Sequence, residues 1–300
     1  MRPPRHPGHW LLGSLNELRP DPLKFFTSLH REYGDVSIHR VGPFDYHFVT
    51  HPDGVKRILQ DNHPNYTKRV PDFRAVGYLT GAGVLTTDGQ EWMRRRRLMQ
   101  PAFHRDRIRE MMSVMASLAR LWLAELRASR GQAINATEAI TRLTMRIATK
   151  TLFSLDLDAR AREVMEAFTL CNEILIRRFR AGRLFPPFMV FADDRAFQHQ
   201  LRRFDQIVDE IIRDHRRNAD QSSPDLLSML MGARDEEDGG FLSDLDLRAE
   251  VKTLLLAGFE TTSNALGWSF YRLGRHPDLA DELRSEIRAV MGDAEFAPSM

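Results

Sequence analysis

Along most of this chain apolar residues recur every three or four positions, the period of a helix that buries one face. Ile108, Met111, Met112, Met115, Ala119, Trp122 and Leu126 form one such row. Ile140, Thr144, Ile147 and Thr151 form a second, and Val164, Phe168, Cys171 and Leu175 a third. Gly182 to Pro187 breaks the pattern, which resumes through Phe197, Leu201, Phe204, Val208 and Ile211. Strand-like composition is confined to the N-terminal region, where 35–41 and 46–50 flank Gly42-Pro43 and predict a β-hairpin. Proline in the first turn predicts helices from Pro22 to Tyr33 and from Pro52 to about Asp61. The segment from His63 to Gly89, rich in Pro, Gly and aromatics, reads as a loop. Ser243-Asp244-Leu245-Asp246 has the form of a helix cap. The long helix it opens runs to about Gly274, and Pro277 starts one more, to about Met291. The expected fold is mainly α with a small N-terminal β element.

The long helix carries the most informative residues. Its apolar run Leu254-Leu255-Leu256 gives way to Ala257-Gly258-Phe259-Glu260-Thr261-Thr262. Glycine inside a helix costs about 1 kcal/mol relative to alanine, and a buried carboxylate needs a partner or a proton. Leu254, Ala257, Gly258, Thr261, Ala265 and Trp268 share one face, which narrows to Ala and Gly where a flat ligand could lie. The Thr261 hydroxyl is expected to bond back to the carbonyl of residue 257, and Glu260 beside it could deliver protons. The competing reading is a core helix with a tolerated glycine. Lys252, Glu260, Asn264 and Ser269 interrupt the Val251–Tyr271 stretch, which reads as a buried helix and not as a membrane span.

Composition narrows the classes. The 43 basic and 41 acidic residues leave a net charge of +2, so no global field points to nucleic acid. A single cysteine excludes a disulfide framework and suits a reducing, cytoplasmic setting. The Pro- and Arg-rich N-terminus resembles neither a signal peptide nor a membrane anchor. His-Glu-x-x-His and Cys-x-x-Cys are both missing, which speaks against a zinc site.

A second constellation is Glu91-Trp92-Met93-Arg94-Arg95-Arg96-Arg97. Trp92 and Arg96 lie one helical turn apart, and an indole N–H beside a guanidinium suits a carboxylate or phosphate. Successive arginines point about 100° apart, so Arg94, Arg95 and Arg97 are read as a solvated basic face. A basic, all-α nucleic-acid-binding protein centred on this run is the alternative from another class, and the balanced charge argues against it.

These constellations resemble the cytochrome P450 family. The pattern Ala257-Gly258-Phe259-Glu260-Thr261 is similar to that family's oxygen-binding helix. By that resemblance Ala257 and Gly258 line the oxygen groove, and Glu260 and Thr261 serve proton delivery to dioxygen. Trp92 and Arg96 resemble the pair that hydrogen-bonds a propionate of haem b. The stretch Gly81 to Gly89 resembles the loop over the distal haem face, which makes Leu85 a candidate substrate contact. Phe73, Val76, Tyr78 and Leu79, with the stretch Phe179 to Phe188, are expected to shape an apolar pocket. The implied activity is haem-thiolate monooxygenation of an apolar small molecule, with O2 and two electrons from a ferredoxin- or flavodoxin-type partner. Arg95 and Arg97 are candidates for that partner's docking patch.

The whole of 1–300 is then read as a single, incomplete domain of that fold. Its parts are a helix and hairpin region (1–62), a variable loop (63–89) and a helical region (90–300). The family's Glu-x-x-Arg helix and Cys-ligand loop do not occur before Met300, so no metal ligand is assigned in this chain. Cys171, on an apolar helical stripe, reads as a structural core residue. The chain alone is therefore expected to be inactive, with a non-enzymatic truncated product as the alternative.

Overall fold

A computed structural model of the protein describes residues 2–155, 158–180, 194–218, 225–234 and 239–292. The chain divides into two compact units, Met1–Lys68 and Arg69–Met300.

The first unit carries α1 (Leu15–Leu18), α2 (Pro22–Tyr33), the antiparallel hairpin β1 (Val36–Val41) and β2 (Phe44–Val49), and α3 (Pro52–Lys56). Asp21 caps α2 by accepting from the Lys24 amide at 2.9 Å, just ahead of the proline in the first turn. The strands pair with Ile38 opposite His47. A further extended piece adds to β1 on its other edge: His6 donates to the Ile38 carbonyl and Ile38 to the Pro4 carbonyl, both at 2.8 Å. Phe25 and Leu29 of α2 are buried, and Phe26 stacks on Phe48 at 5.3 Å. A turn of π-helix at Arg57–Asp61 prolongs α3 to the end that the sequence predicts.

The second unit is helical. It comprises α4 (Pro71–Thr80), α5 (Gly89–Met99), α6 (Arg105–Ala128), α7 (Ala136–Phe153), α8 (Asp158–Arg180) and α9 (Asp194–Asn218), followed by α10 (Leu226–Gly232), α11 (Asp244–Arg275) and α12 (Pro277–Met291). Its core gathers Met145 and Phe153 from α7, Phe168 and Cys171 from α8, Phe204 and Val208 from α9, Leu227 from α10 and Leu255 from α11. The most extensive helix packing among the described residues is α7 along α11. Gly258 permits it: a Cβ there would stand 3.1 Å from the Ala148 Cβ of α7. Ser243 caps α11 in a full capping box with Asp246.

Three expectations change. The supposed loop from His63 to Gly89 contains the helix α4, since Pro71 opens it and Ala75 and Leu79, one turn apart, supply its buried side. The short apolar run at Leu226–Gly232 forms α10, which the periodicity did not mark. The stretch Val251–Tyr271 is buried mainly in its first half: Val251 to Leu255 and Phe259 are buried, whereas most residues from Thr261 onward are exposed. Beyond Phe179 and Arg180, which close α8, the candidate pocket stretch to Phe188 lies outside the described residues, as does the break from Gly182 to Pro187.

Candidate functional site

Two surfaces of the second unit hold the candidate residues. On α11, Ala257 and Thr261 are exposed on one side, and Phe259 packs on the opposite side, edge-on to Phe168 at 5.6 Å. The Thr261 Oγ1 donates to the Ala257 carbonyl at 2.9 Å, the bond expected from the sequence. Thr262 makes the same kind of bond to the Gly258 carbonyl at 3.4 Å. Glu260 is half-buried, and its Oε1 accepts from the Asn172 side-chain amide of α8 at 3.2 Å. Burial pushes the Glu260 carboxyl above the ordinary range, and the Asn172 bond opposes the shift only in part. Asn172 is a partner the sequence reading missed, because the contact joins residues 88 positions apart. Ala257 thus lies on the open side of α11, and the space beside Gly258 is taken by α7.

On α5, Arg96 is exposed and its guanidinium lies over the Trp92 ring, 5.5 Å from the centroid. Among the described residues Arg96 has no ion pair, unlike its neighbour. Arg95 is only 3% exposed and meets three carboxylates. Its Nε donates to Glu91 at 2.6 Å, one Nη to Glu250 at 3.0 Å and the other to Asp246. This overturns the reading of Arg95 as solvated surface and as a docking residue: α11 presents carboxylates to that one direction of the helix. Two signals were available in the sequence, the Glu91–Arg95 spacing of four and the charges Glu250 and Lys252 inside an apolar run. Lys252 is likewise buried, paired with Asp205 of α9 at 2.7 Å. Arg97 remains exposed on α5.

The candidate pocket residues separate. Tyr78 and Leu85 are exposed, Phe73 and Val76 are intermediate, and Leu79 is 2% exposed in the core with Met99 and Ala102. Leu79 therefore anchors α4 and does not stand on the open side with Tyr78. Cys171 is fully buried, and desolvation pushes its thiol up to about 11, which keeps it protonated and unreactive.

These residues fit the periphery of a haem. The indole and unpaired guanidinium of Trp92 and Arg96 suit a propionate, and the exposed small-residue side of α11 suits a flat apolar ring. They do not include a thiolate for the iron, since Cys171 is the chain's one cysteine and lies in the core.

Comparison with known proteins gives the family and the fold. The family model described as cytochrome P450 matches residues 3–300. Cyclooctatin synthase of Streptomyces melanosporofaciens is 33% identical over 95% of this chain and 60% of its own length. Cyclooctat-9-en-7-ol 5-monooxygenase of the same organism is 30% identical over 94% of this chain and 60% of its own. Pentalenene oxygenase of Streptomyces avermitilis is 30% identical over 94% and 61%. The crystal structure of the cytochrome P450DA haem domain superposes with a TM-score of 0.80 at 22% identity, over 99% of this chain and 65% of that one, a likeness of fold. The chain spans about 60% of the length of the curated relatives it matches.

Proposed function

We propose, from the premise that the chain belongs to the cytochrome P450 family, that it serves in a haem-thiolate monooxygenase acting on an apolar small molecule. The observation that carries this reading is the Trp92–Arg96 pair together with the open side of α11 at Ala257 and Thr261, in a chain that the family model matches almost from end to end. When bound, the haem supplies the reductive activation of dioxygen.

The chain's own residues hold the group and handle protons. Trp92 Nε1 and the Arg96 guanidinium would hold a propionate, and Ala257 would border the haem on the open side of α11. Glu260 holds a proton more readily than an exposed carboxylate because it is partly desolvated. The Thr261 Oγ1, one residue on, can release its bond to the Ala257 carbonyl and donate outward instead. Asn172 keeps the Glu260 carboxylate in place. Phe73, Val76, Tyr78 and Leu85 bound the substrate side, and the names of the Streptomyces relatives, with pentalenene and cyclooctat-9-en-7-ol, indicate the apolar class. Electrons come from a ferredoxin- or flavodoxin-type partner, for whose docking Arg97 remains the candidate on α5. The lone reduced thiol of Cys171 supports a cytoplasmic setting. No helix among the described residues is long and apolar enough to cross a membrane.

The test is haem retention. Reconstituted protein should hold haem through gel filtration, and Trp92→Ala with Arg96→Ala should lose most of it. Equal haem content in the double variant would refute the propionate assignment. The 300 residues alone should show no thiolate-type spectrum with carbon monoxide after reduction, and a thiolate-type spectrum from Cys171 would contradict its place in the core.

A further inference from the structure

The segment from Gly81 to Thr87 is a stiff unit. Thr86 Oγ1 donates to the Gly81 carbonyl at 2.7 Å and accepts from the Gly83 amide at 3.1 Å, and Thr87 Oγ1 donates to the Gly83 carbonyl at 2.9 Å. It lies against α11 at Gly81, which faces Ala249, at Gly83 and at Val84. Gly83 lies so close that a Cβ would fall 2.5 Å from Thr253 Oγ1 and 3.0 Å from the Ala249 carbonyl. The Val84 amide donates to Glu250 Oε2 at 3.0 Å.

Glu250 is completely buried, and its two oxygens serve two different elements. Oε2 takes the segment through Val84, and Oε1 takes α5 through Arg95 at 3.0 Å. A buried carboxylate is tolerated only with such partners. Leu85, exposed, is the first residue past the anchored Val84. A shift of the Val84–Glu250 bond therefore moves Leu85 directly, and binding sites are sensitive to displacements of about 1 Å.

We propose that Glu250, partnered by Arg95, is a positioning residue that fixes the Gly81–Thr87 segment and thereby decides, through Leu85, which apolar ligands are accepted. This rests on the monooxygenase reading only for the identity of the ligand. Glu250 touches no ligand itself. Its carboxylate sets where a contact residue stands.

The experiment uses haem-loaded enzyme that carries this chain together with the family's Cys-ligand loop, and two variants that disturb the same attachment differently. In Glu250→Gln the amide nitrogen meets a donor on one side, so Val84 and Arg95 cannot both be satisfied. In Gly83→Ala the carboxylate is intact and the added methyl lifts the segment. Val208→Ala, in the α9 core, controls for general loss of stability. Amide hydrogen exchange reports the attachment, and haem absorbance titrated with adamantane (compact) and dodecane (extended) reports selectivity.

Exchange at Val84 should rise roughly tenfold in Glu250→Gln, as for loss of a protecting bond. The ratio of the two dissociation constants should move by about threefold or more, in the same direction in both variants and not in Val208→Ala. Unchanged exchange at Val84 overturns the proposal, and so does altered exchange with an unchanged ratio. If the wild-type enzyme responds to neither probe, Leu85 borders no apolar ligand site and the selectivity claim falls, whereas the monooxygenase reading stands or falls separately on haem retention.

Discussion

Neighbouring residues on one helix show how little separation is needed to change a role. Arg95 and Arg96 differ by about 100° around α5. One is buried among Glu91, Asp246 and Glu250, and the other stands exposed over Trp92. Thr261 was legible by contrast, because its bond to the Ala257 carbonyl is local and follows from helix geometry alone. Replacing Thr261 by Ala removes that hydroxyl and leaves α5 untouched. In haem-loaded enzyme that carries this chain together with the family's Cys-ligand loop, and with a redox partner, haem content should be unchanged while more of the consumed reducing equivalents appear as peroxide. Product formed per electron pair at the wild-type level would remove Thr261 from the proton path.

At the scale of elements, capping and close approach decide where α11 begins and what it can pack against. Asp246 closes the capping box with Ser243 and also meets Arg95. Burial pushes its carboxyl up, but the bonds from Ser243 and Arg95 outweigh burial and leave it below the usual range. A carboxylate so depressed contributes stability that is fully present above the unfolded value, about 3.9, and is lost as pH falls through the folded value. Asp246→Asn should therefore lower Tm at neutral pH and lessen the further loss on acidification toward that lower range. An unchanged acid limb in the variant would show that other groups control it. Gly258 offers a second check. Valine there must push into Ala148 and Leu152 of α7, and overpacking of this kind costs about 1–3 kcal/mol. Denaturant unfolding should show that loss, and a neutral result would mean that α7 yields freely. Helix α4 was hidden because Gly77 and the neighbouring prolines and glycines give loop composition to a segment whose buried apolar residues, among those described, are Ala75 and Leu79.

For the molecule as a whole, the second half of α11 and α12 expose a succession of large apolar side chains. Trp268 is 69% exposed and Val290 79%, and Leu279, Leu283 and Ile287 accompany them. Helix α12 buries none of its residues, although its apolar positions recur at helical spacing. Apolar patches beyond a few hundred Å² mark surfaces that associate. The 300-residue chain should therefore bind a fluorescent apolar dye and self-associate with rising concentration. Leu283→Lys with Val290→Glu should reduce both. A monodisperse chain with no dye signal would show that this surface is covered in solution.

The sequence by itself determined the helical class, the N-terminal hairpin, the cap at Ser243 and the local threonine bond. Each depends on interactions within a few residues, or on a period that any amphipathic element must display. Resemblance of two short motifs further pointed to the family. Only tertiary structure decided which arginine is buried, that Leu79 is core, that Gly258 faces α7 and that Glu250 joins Val84 to Arg95. Those outcomes depend on which residues from distant parts of the chain converge. Glu250 and Val84 are 166 positions apart, and nothing in the local pattern of either encodes the other.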